Sequence, residues 1–422
     1  MNFSLIGKVF KNSLVKEFSF YSSSTFIYQL SRVLVELTAA KILGPALWGI
    51  WYLLNLSIAY RGLFELGISN GMNREIPINL GKNDVKKAKH IQNITFSTVC
   101  ISSVIALVFL LFASLIVNDP NLRSSLLWLI PLFIVTQFYY LVNASLKANT
   151  LFSFVSKKQL LFSALFPLFA IPLTYLFKLE GFIIAYTAAL FIAVTYIYKK
   201  SSISYSIDYD WKEVKNLIRI GFPIMAVGIT YTFLNTVDRW IISLFLGTEE
   251  LGFYSMAIIV FGGMTLFPNI ISQQLYPRMA YDWGKSNTKS SLQHWAWIQT
   301  KYTGILVIPV LIGVLTIFPW IIRTLLPEYI PGIHSLQIIA FGTLFIPFSA
   351  GWGNVLNIID KQVYYLLVII IAVIVNITIN YFLVTAGYGI AGVAFGTAIT
   401  FAMYCLAVMG LGKYFLKKII SK

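Results

Sequence analysis

Leu43-Gly44-Pro45-Ala46-Leu47-Trp48-Gly49-Ile50-Trp51 returns 203 residues later as Leu246-Gly247-Thr248-Glu249-Glu250-Leu251-Gly252-Phe253-Tyr254. Leu43-Gly44 falls on Leu246-Gly247, Gly49 on Gly252, and the aromatic Trp51 on the aromatic Tyr254. At the same offset, without a gap, Gly81-Lys82 meets Gly284-Lys285 and Lys86 meets Lys289. Each match alone is weak, because glycines at the ends of apolar segments coincide easily. A constant offset across more than forty residues is harder to dismiss. Around each copy runs the same order of apolar stretch, short loop, apolar stretch and basic loop. The chain reads as two related halves.

The 422 residues are 58% hydrophobic and 11% charged, with a mean hydropathy of +0.77. Soluble domains carry about 25% charged residues, so this is a membrane composition. A helix needs about 20 apolar residues to cross a bilayer. That ruler marks twelve spans, at about 18–43, 47–69, 92–117, 124–147, 159–177, 181–198, 221–246, 251–276, 302–325, 333–358, 363–385 and 388–412. The expected fold class is an all-α polytopic membrane protein of about twelve transmembrane helices. Six spans separate the two copies of the repeat, so both copies enter the membrane in the same direction. The halves then make two six-helix lobes in parallel repeat, as in several transporter folds. The lobes are expected at 1–198 and 221–422, joined by a cytoplasmic or interfacial linker at 199–220.

A net charge of +16 invites a nucleic-acid reading, but the placement of the charges argues otherwise. With the N-terminus inside, 25 of the 32 Lys and Arg side chains lie on the cytoplasmic side, three on the outer side (Arg123, Lys178, Arg323) and four within spans. That bias fixes orientation and puts both termini in the cytoplasm. The basic excess is topology first, with attraction to anionic lipid as a second use, and no nucleic-acid partner is expected. The cytoplasmic count includes the three in 147–158, Lys147, Lys157 and Lys158. Met1 to Glu17 is basic and amphipathic without a small-residue cleavage site, so it reads as a retained cytoplasmic segment. Cys100 and Cys405 stand alone, and His90, His294 and His334 lie far apart, so neither a disulfide nor a metal site is expected. With nearly every residue in a span or a short connection, no catalytic domain and no cofactor are expected.

In the linker, Trp211, Val214 and Ile218 share one helical face and Lys212, Lys215 and Arg219 the next. This is the pattern of a helix lying in the interface, or of a plain tether. The Gly67-x3-Gly71 and Gly392-x3-Gly396 spacings permit close helix contact.

Five charged side chains lie in the first two spans: Arg32, Glu36 and Lys41, then Arg61 and Glu65. Each costs roughly 2.5–3.5 kcal/mol in hydrocarbon, so they must face each other, a wet cavity or a charged passenger. On a helix, Ser22, Thr25, Gln29, Arg32 and Glu36 fall on one face. Asn55, Arg61, Gly62, Glu65 and Ser69 share a comparable arc of span 2. The spacing of four lets Arg32 meet Glu36 and Arg61 meet Glu65. Two readings stay open: each Arg neutralises its Glu and locks the spans together, or the arginines line a cavity and bind an anion. Arg suits phosphate because its planar fork donates two parallel hydrogen bonds and stays charged. In span 7, Tyr231, Asn235 and Asp238 share a face beside Arg239. Asp238 is a candidate for a coupling cation or proton, or for pairing with Arg239 or a first-lobe arginine. Gln273, Gln274, Tyr276 and Arg278 could bond sugar hydroxyls or merely cap span 8. The polar cavity wall is expected to include Gln29, Asn55, Asn235 and Gln273.

The run Ile218-Arg219-Ile220-Gly221-Phe222-Pro223-Ile224, followed by Asp238-Arg239 and then Leu246 to Tyr254, resembles the polysaccharide (O-antigen type) flippase family. That family sits within the multidrug, oligosaccharidyl-lipid and polysaccharide exporter superfamily. Leu43 to Gly49 resembles its first-lobe counterpart. The resemblance implies a transporter and not an enzyme. Its cargo would be a polyprenyl-diphosphate-linked oligosaccharide, moved from the cytoplasmic to the periplasmic leaflet of a bacterial inner membrane by alternating access. It implies a cationic cavity in which Arg32 and Arg61 contact the diphosphate, with Arg239 or Lys41 assisting. It also implies coupling to H+ or Na+, for which Glu36, Glu65 and Asp238 are the candidates. Implied partners are the lipid-linked oligosaccharide, membrane lipid and other polysaccharide assembly proteins. The two glutamates beside the arginines depart from a purely cationic cavity. A drug–cation antiporter of the same superfamily is the first rival, and would need the carboxylates and not the arginines. A membrane polysaccharide polymerase is the second; it would need sizeable outer loops, and 326–332 offers little beyond Glu328.

Overall fold

The computed structural model describes residues 3–118, 120–286 and 288–418, and the side chains of 3–18, 121, 274, 277 and 286 fall outside that description. The amphipathic face assigned to Met1–Glu17 and the contact assigned to Gln274 therefore lie outside the described residues. Among the described residues the regular structure is helical, with no strand. Hydrocarbon offers no partner for a backbone amide, so each spanning segment must satisfy its own, and a helix does so.

In chain order the helices are α1 (Phe3–Ala59), α2 (Ile68–Gly81), α3 (Val85–Ile116), α4 (Pro120–Ala148), α5 (Phe152–Lys200), α6 (Trp211–Leu234), α7 (Val237–Phe245), α8 (Thr248–Ser286), α9 (Lys289–Leu325), α10 (Ile333–Thr343), α11 (Phe345–Ile358), α12 (Gln362–Thr385) and α13 (Gly389–Lys418). Ten helical stretches are long and apolar enough to cross a membrane. Two of them, Ser19–Leu63 and Phe152–Lys200, run to 45 and 49 residues, about two crossings each. A kink divides both: α1 at Gly44 (φ 71°), and α5 at Phe177 and Lys178 (φ −122° and 50°). Twelve crossings result among the described residues, and the chain is a multi-pass membrane protein.

The kink at Gly44 follows from its neighbours. Glycine enters the left-handed region without a Cβ clash, and Pro45, with φ preset and no N–H to lose, suits the first turn of the next helix. Its repeat counterpart Gly247 is also left-handed, at φ 96°. The repeat is one of structure as well as sequence.

Two spans are broken where the apolar pattern runs on. Span 2 leaves the α-helix after Ala59, passes through a 3-10 turn at Arg61–Leu63 and the left-handed pair Leu66 and Gly67, and resumes as α2. Span 7 breaks at Asn235–Thr236, between α6 and α7. It also begins early, which corrects the interfacial-helix reading: residues 211–219 are the first turns of α6. Asp210 starts that helix by accepting the backbone N–H of Lys212 (2.9 Å) and Glu213 (3.3 Å). Val214 and Leu217 are then buried with Ile68, Met72 and Ile76 of α2 and Ile91 and Ile94 of α3.

The chain forms two compact units, Met1–Leu43 with Leu54–Ile229, and Gly44–Leu53 with Thr230–Lys422. Within the first, α2 and α6 touch through glycine. A Cβ on Gly71 would lie 2.3 Å from the Leu217 carbonyl oxygen, and one on Gly221 1.9 Å from that of Gly67. The irregular segment 203–210 is strapped to the same unit. Tyr205 stacks between Phe96 and Tyr198, at centroid distances of 4.8 and 5.5 Å, and donates to Ser145 Oγ at 2.9 Å. Within the second unit, a Cβ on Gly49 would lie 1.7 Å from the Thr248 carbonyl oxygen, and one on Gly252 1.9 Å from that of Pro45. Thr248 is the repeat equivalent of Pro45, so one contact is made twice.

Candidate functional site: guanidinium groups at membrane depth

In the first unit, Arg32 lies on the unbroken half of α1, where the spacing of four holds. Its Nη2 is 2.8 Å from Glu36 Oε1. The Arg32 side chain remains 28% exposed and its Nε has no partner. Tyr28, with its ring centroid 6.0 Å from the Arg32 Cζ, and Tyr186 stand around it. Further along the same helix, Ser24 and Thr25 donate to Gln159 Oε1 of α5 at 2.9 and 3.3 Å. Gln29 and Asn55 are half-buried, and Lys41 is exposed in the turn before the Gly44 kink.

Arg61 and Glu65 do not pair, contrary to expectation. The break at 60–67 takes them off a common helical face. Ser69 Oγ donates to the buried Glu65 carboxylate. Arg61 instead lays its guanidinium over Tyr140, with Cζ 3.2 Å from the ring centroid. Among the described residues no carboxylate lies within ion-pair distance of Arg61, and its Nε has no partner. Stacking of this kind contributes about 0.5–2 kcal/mol and leaves the in-plane N–H donors at the edge of the group open.

Lys158, counted by position between spans, is a fully buried residue in the second turn of α5. Its Nζ donates to Asn143 Oδ1 at 3.0 Å and to the Tyr139 carbonyl at 3.4 Å, and lies 3.6 Å from the centroid of the Tyr139 ring. Counting cations by their place between spans cannot separate a snorkelling lysine from one folded inward.

In the second unit, Asp238 is buried at the start of α7. Its Oδ1 accepts the Arg239 backbone N–H at 2.8 Å and its Oδ2 the Tyr254 hydroxyl at 2.6 Å. Among the described residues the expected side-chain pair with Arg239 is not formed, since a helix N-terminus and a phenol already satisfy the carboxylate. Arg239 has no carboxylate within ion-pair distance among the described residues, and its Nε is unpartnered. It shares a cleft of about 10 Å³ with Asn235, Asp238 and Tyr254. Near Tyr254 stands Thr397, whose hydroxyl reaches Asn376 Oδ1 (3.3 Å) and Asn380 Nδ2 (3.1 Å). The sequence reading missed this buried polar chain, because its members come from four helices and no spacing links them.

The second unit also holds a cavity of about 230 Å³. Asn235, Asn269, Asn354 and Asn357 line it together with tyrosines, and no Asp, Glu, Lys, Arg or His is among the described lining residues. Gln273, expected on a cavity wall, is exposed and outside this lining; Asn269 and Ser272 of the same helix hold the wall instead.

A family model described as a polysaccharide biosynthesis protein matches residues 38–329. The chain belongs to this polysaccharide biosynthesis family. The resemblance carried by Ile218–Ile224 and Leu246–Tyr254 is thereby borne out. This family member is 26% identical over 259 residues to a provisionally named O-antigen transporter of Shigella flexneri, over 57% of this chain and 60% of that one. It is 27% identical over 190 residues to an uncharacterized membrane protein of Methanocaldococcus jannaschii, over 44% and 43% of the two chains. The chain thus spans about half the length of the curated relatives it matches. Its fold resembles an inward-facing multidrug resistance MATE family transporter of the MOP superfamily, with a TM-score of 0.74 at 15% identity over 96% of both chains. It equally resembles the lipid II flippase MurJ in an inward closed conformation, with a TM-score of 0.74 at 16% identity over 93% of this chain and 87% of that one. At such identities the likeness is one of fold.

Proposed function

We propose that this family member is a flippase that moves a polyprenyl-diphosphate-linked oligosaccharide, such as an O-antigen repeat unit, from the cytoplasmic to the periplasmic leaflet of a bacterial inner membrane. It works by alternating access coupled to an H+ or Na+ gradient, with both termini cytoplasmic, and is a transporter and not an enzyme. The observation that carries the reading is the state of the guanidinium groups. Arg61 and Arg239 stand at membrane depth with no carboxylate in ion-pair reach among the described residues, and Arg32 gives Glu36 a single nitrogen. Uncompensated, each such cation costs roughly 2.5–3.5 kcal/mol. A diphosphate passenger offsets that cost through bidentate, charge-assisted bonds. Tyr140 holds the plane of Arg61 and leaves its donor edge for oxyanions. Glu36 holds Arg32 until a phosphate competes for it, and Lys41 assists.

Asp238 is the coupling group in this proposal, with Glu65 as the second candidate. Asp238 sits at a broken helix with its carboxylate bonded to the Tyr254 hydroxyl and the Arg239 backbone N–H, and broken helices are where transporters hold coupling ions. A drug–cation antiporter draws on the same two carboxylates, which is what keeps it as the second reading.

The test is complementation of a strain lacking the gene. Arg61→Ala and Arg239→Ala, at normal protein levels, are expected to lower surface glycan about tenfold or more and to leave lipid-linked oligosaccharide on the inner leaflet. Full surface glycan from both variants would contradict the proposal. Sensitivity of the carboxylate variants alone would favour the antiporter.

A further inference from the structure

We infer that the neutral cavity of the second compact unit is a sugar subsite, seating the monosaccharide directly joined to the diphosphate. The inference rests on the flippase reading above and adds a site to it. A carboxamide presents a donor and an acceptor side by side, which is what neighbouring sugar hydroxyls require. Four of them converge on this cavity: Asn235 from the break between α6 and α7, Asn269 from α8, and Asn354 and Asn357 from α11.

Part of their bonding capacity is unspent. The side chains of Asn269 and Asn357 have no hydrogen-bond partner among the described residues; Asn235 donates its Nδ2 to the Tyr231 carbonyl at 2.9 Å, and its Oδ1 is buried without a partner. Asn354 spends its Nδ2 on Ser272 Oγ at 2.9 Å and Gln299 Oε1 at 3.0 Å. That pair of bonds fixes the amide and leaves its carbonyl oxygen as an oriented acceptor. Asn235 Oδ1 is buried and unpaired, at a cost of about 1–3 kcal/mol, while Asn357 is half-buried and Asn269 exposed; all three present open amide groups to a polar occupant. A charged occupant would find no counter-ion, since none of the described lining residues is an acid or a base of the Lys, Arg or His kind. Tyr365 and Tyr404, joined hydroxyl to hydroxyl at 2.8 Å, add apolar ring faces against which the C–H face of a pyranose can pack.

Size and position agree with one sugar. A cavity of about 230 Å³ has room for one monosaccharide. Asn235 and Phe261 line both this cavity and the small cleft of Arg239. A sugar seated here therefore leaves its anomeric phosphate on the side of that guanidinium.

The test uses the full chain in lipid nanodiscs and two probes, polyprenyl diphosphate and polyprenyl diphosphate bearing one N-acetylhexosamine. The unsubstituted protein is expected to bind the sugar-bearing probe about tenfold or more tighter. Asn269→Leu combined with Asn357→Leu should keep affinity for the bare lipid within about twofold and abolish the preference. Neither side chain holds the fold together, and Asn357→Leu alone, checked by thermal melting, repeats the test should the pair be unstable. Equal affinity of the unsubstituted protein for both probes, or a preference that survives the double substitution, overturns the inference and leaves the diphosphate reading standing. Displacement of the sugar-bearing probe by tetraphenylphosphonium, and not by free N-acetylhexosamine, overturns it in favour of an organic cation. Failure to bind either probe removes the diphosphate reading and the inference together.

Discussion

Arg61 carries its charge across hydrocarbon on a tyrosine ring and not on a carboxylate, and that choice leaves the charge available. Lysine at this position keeps the cation but loses both the stacking plane and the two-pronged donor edge. Arg61→Lys is therefore expected to retain normal protein levels but to lose about tenfold in glycan export, with Arg61→Ala lower still, read as surface glycan per protein molecule. Asp238→Asn keeps an oxygen for the Tyr254 hydroxyl while removing the titratable charge. It should fold normally and lose the dependence of transport on an imposed ion gradient; unchanged gradient dependence would move the coupling role to Glu65. The sequence disclosed the Arg32–Glu36 pair because the helix between them is unbroken. It misplaced Arg61 and Glu65 because periodicity assumes a helix that the 60–67 segment does not form. Lys158 was illegible for a different reason: nothing local tells a lysine at a span's end whether to turn toward water or toward Asn143.

The helices are held by contacts in which a hydrogen atom is all the space allows. Gly49→Ala or Gly252→Ala must push a Cβ into a facing carbonyl at 1.7 or 1.9 Å. Each is expected to cost about 1–3 kcal/mol or more, seen as a lower melting temperature and folded yield. Gly262→Ala is the matched control, since nothing lies within 4 Å of the added carbon; it should be neutral or slightly stabilising. The 203–210 strap makes a second prediction. Burial pushes the Tyr205 hydroxyl above its ordinary range, so it stays a neutral donor to Ser145. Tyr205→Ala removes two ring stacks and that bond, and should cost about 2–3 kcal/mol and open the strap to protease; Tyr205→Phe should cost about 1. Among the elements, the kinks at Gly44 and Phe177–Lys178 fall where the sequence put span ends, because glycine, proline and charge mark them. The breaks at 60–67 and 235–236 carry no proline, and their apolar flanks hide them.

At the scale of the molecule, the 20-residue ruler gave twelve spans and the 203-residue offset a repeat, and in the structure the repeat's glycines Gly49 and Gly252 make one contact twice. What the offset could not give is how the chain partitions. Residues 44–53 group with the second compact unit, and 211–229 with the first, because packing follows glycine-to-carbonyl contacts and not the midpoint of the chain. The amide-lined cavity was equally invisible, its four asparagines lying on segments far apart in sequence. In the proposed cycle, guanidinium groups with no described carboxylate in ion-pair reach, those of Arg61 and Arg239, receive the diphosphate. Reconstituted vesicles containing the full chain, loaded with polyprenyl diphosphate bearing an N-acetylhexosamine and assayed for its transfer between leaflets, test this most directly. Rapid transfer is expected of the unsubstituted protein, with a loss of about a hundredfold or more when Arg61→Ala and Arg239→Ala are combined in a normally folded chain. Transfer by that double variant at the unsubstituted rate would contradict it.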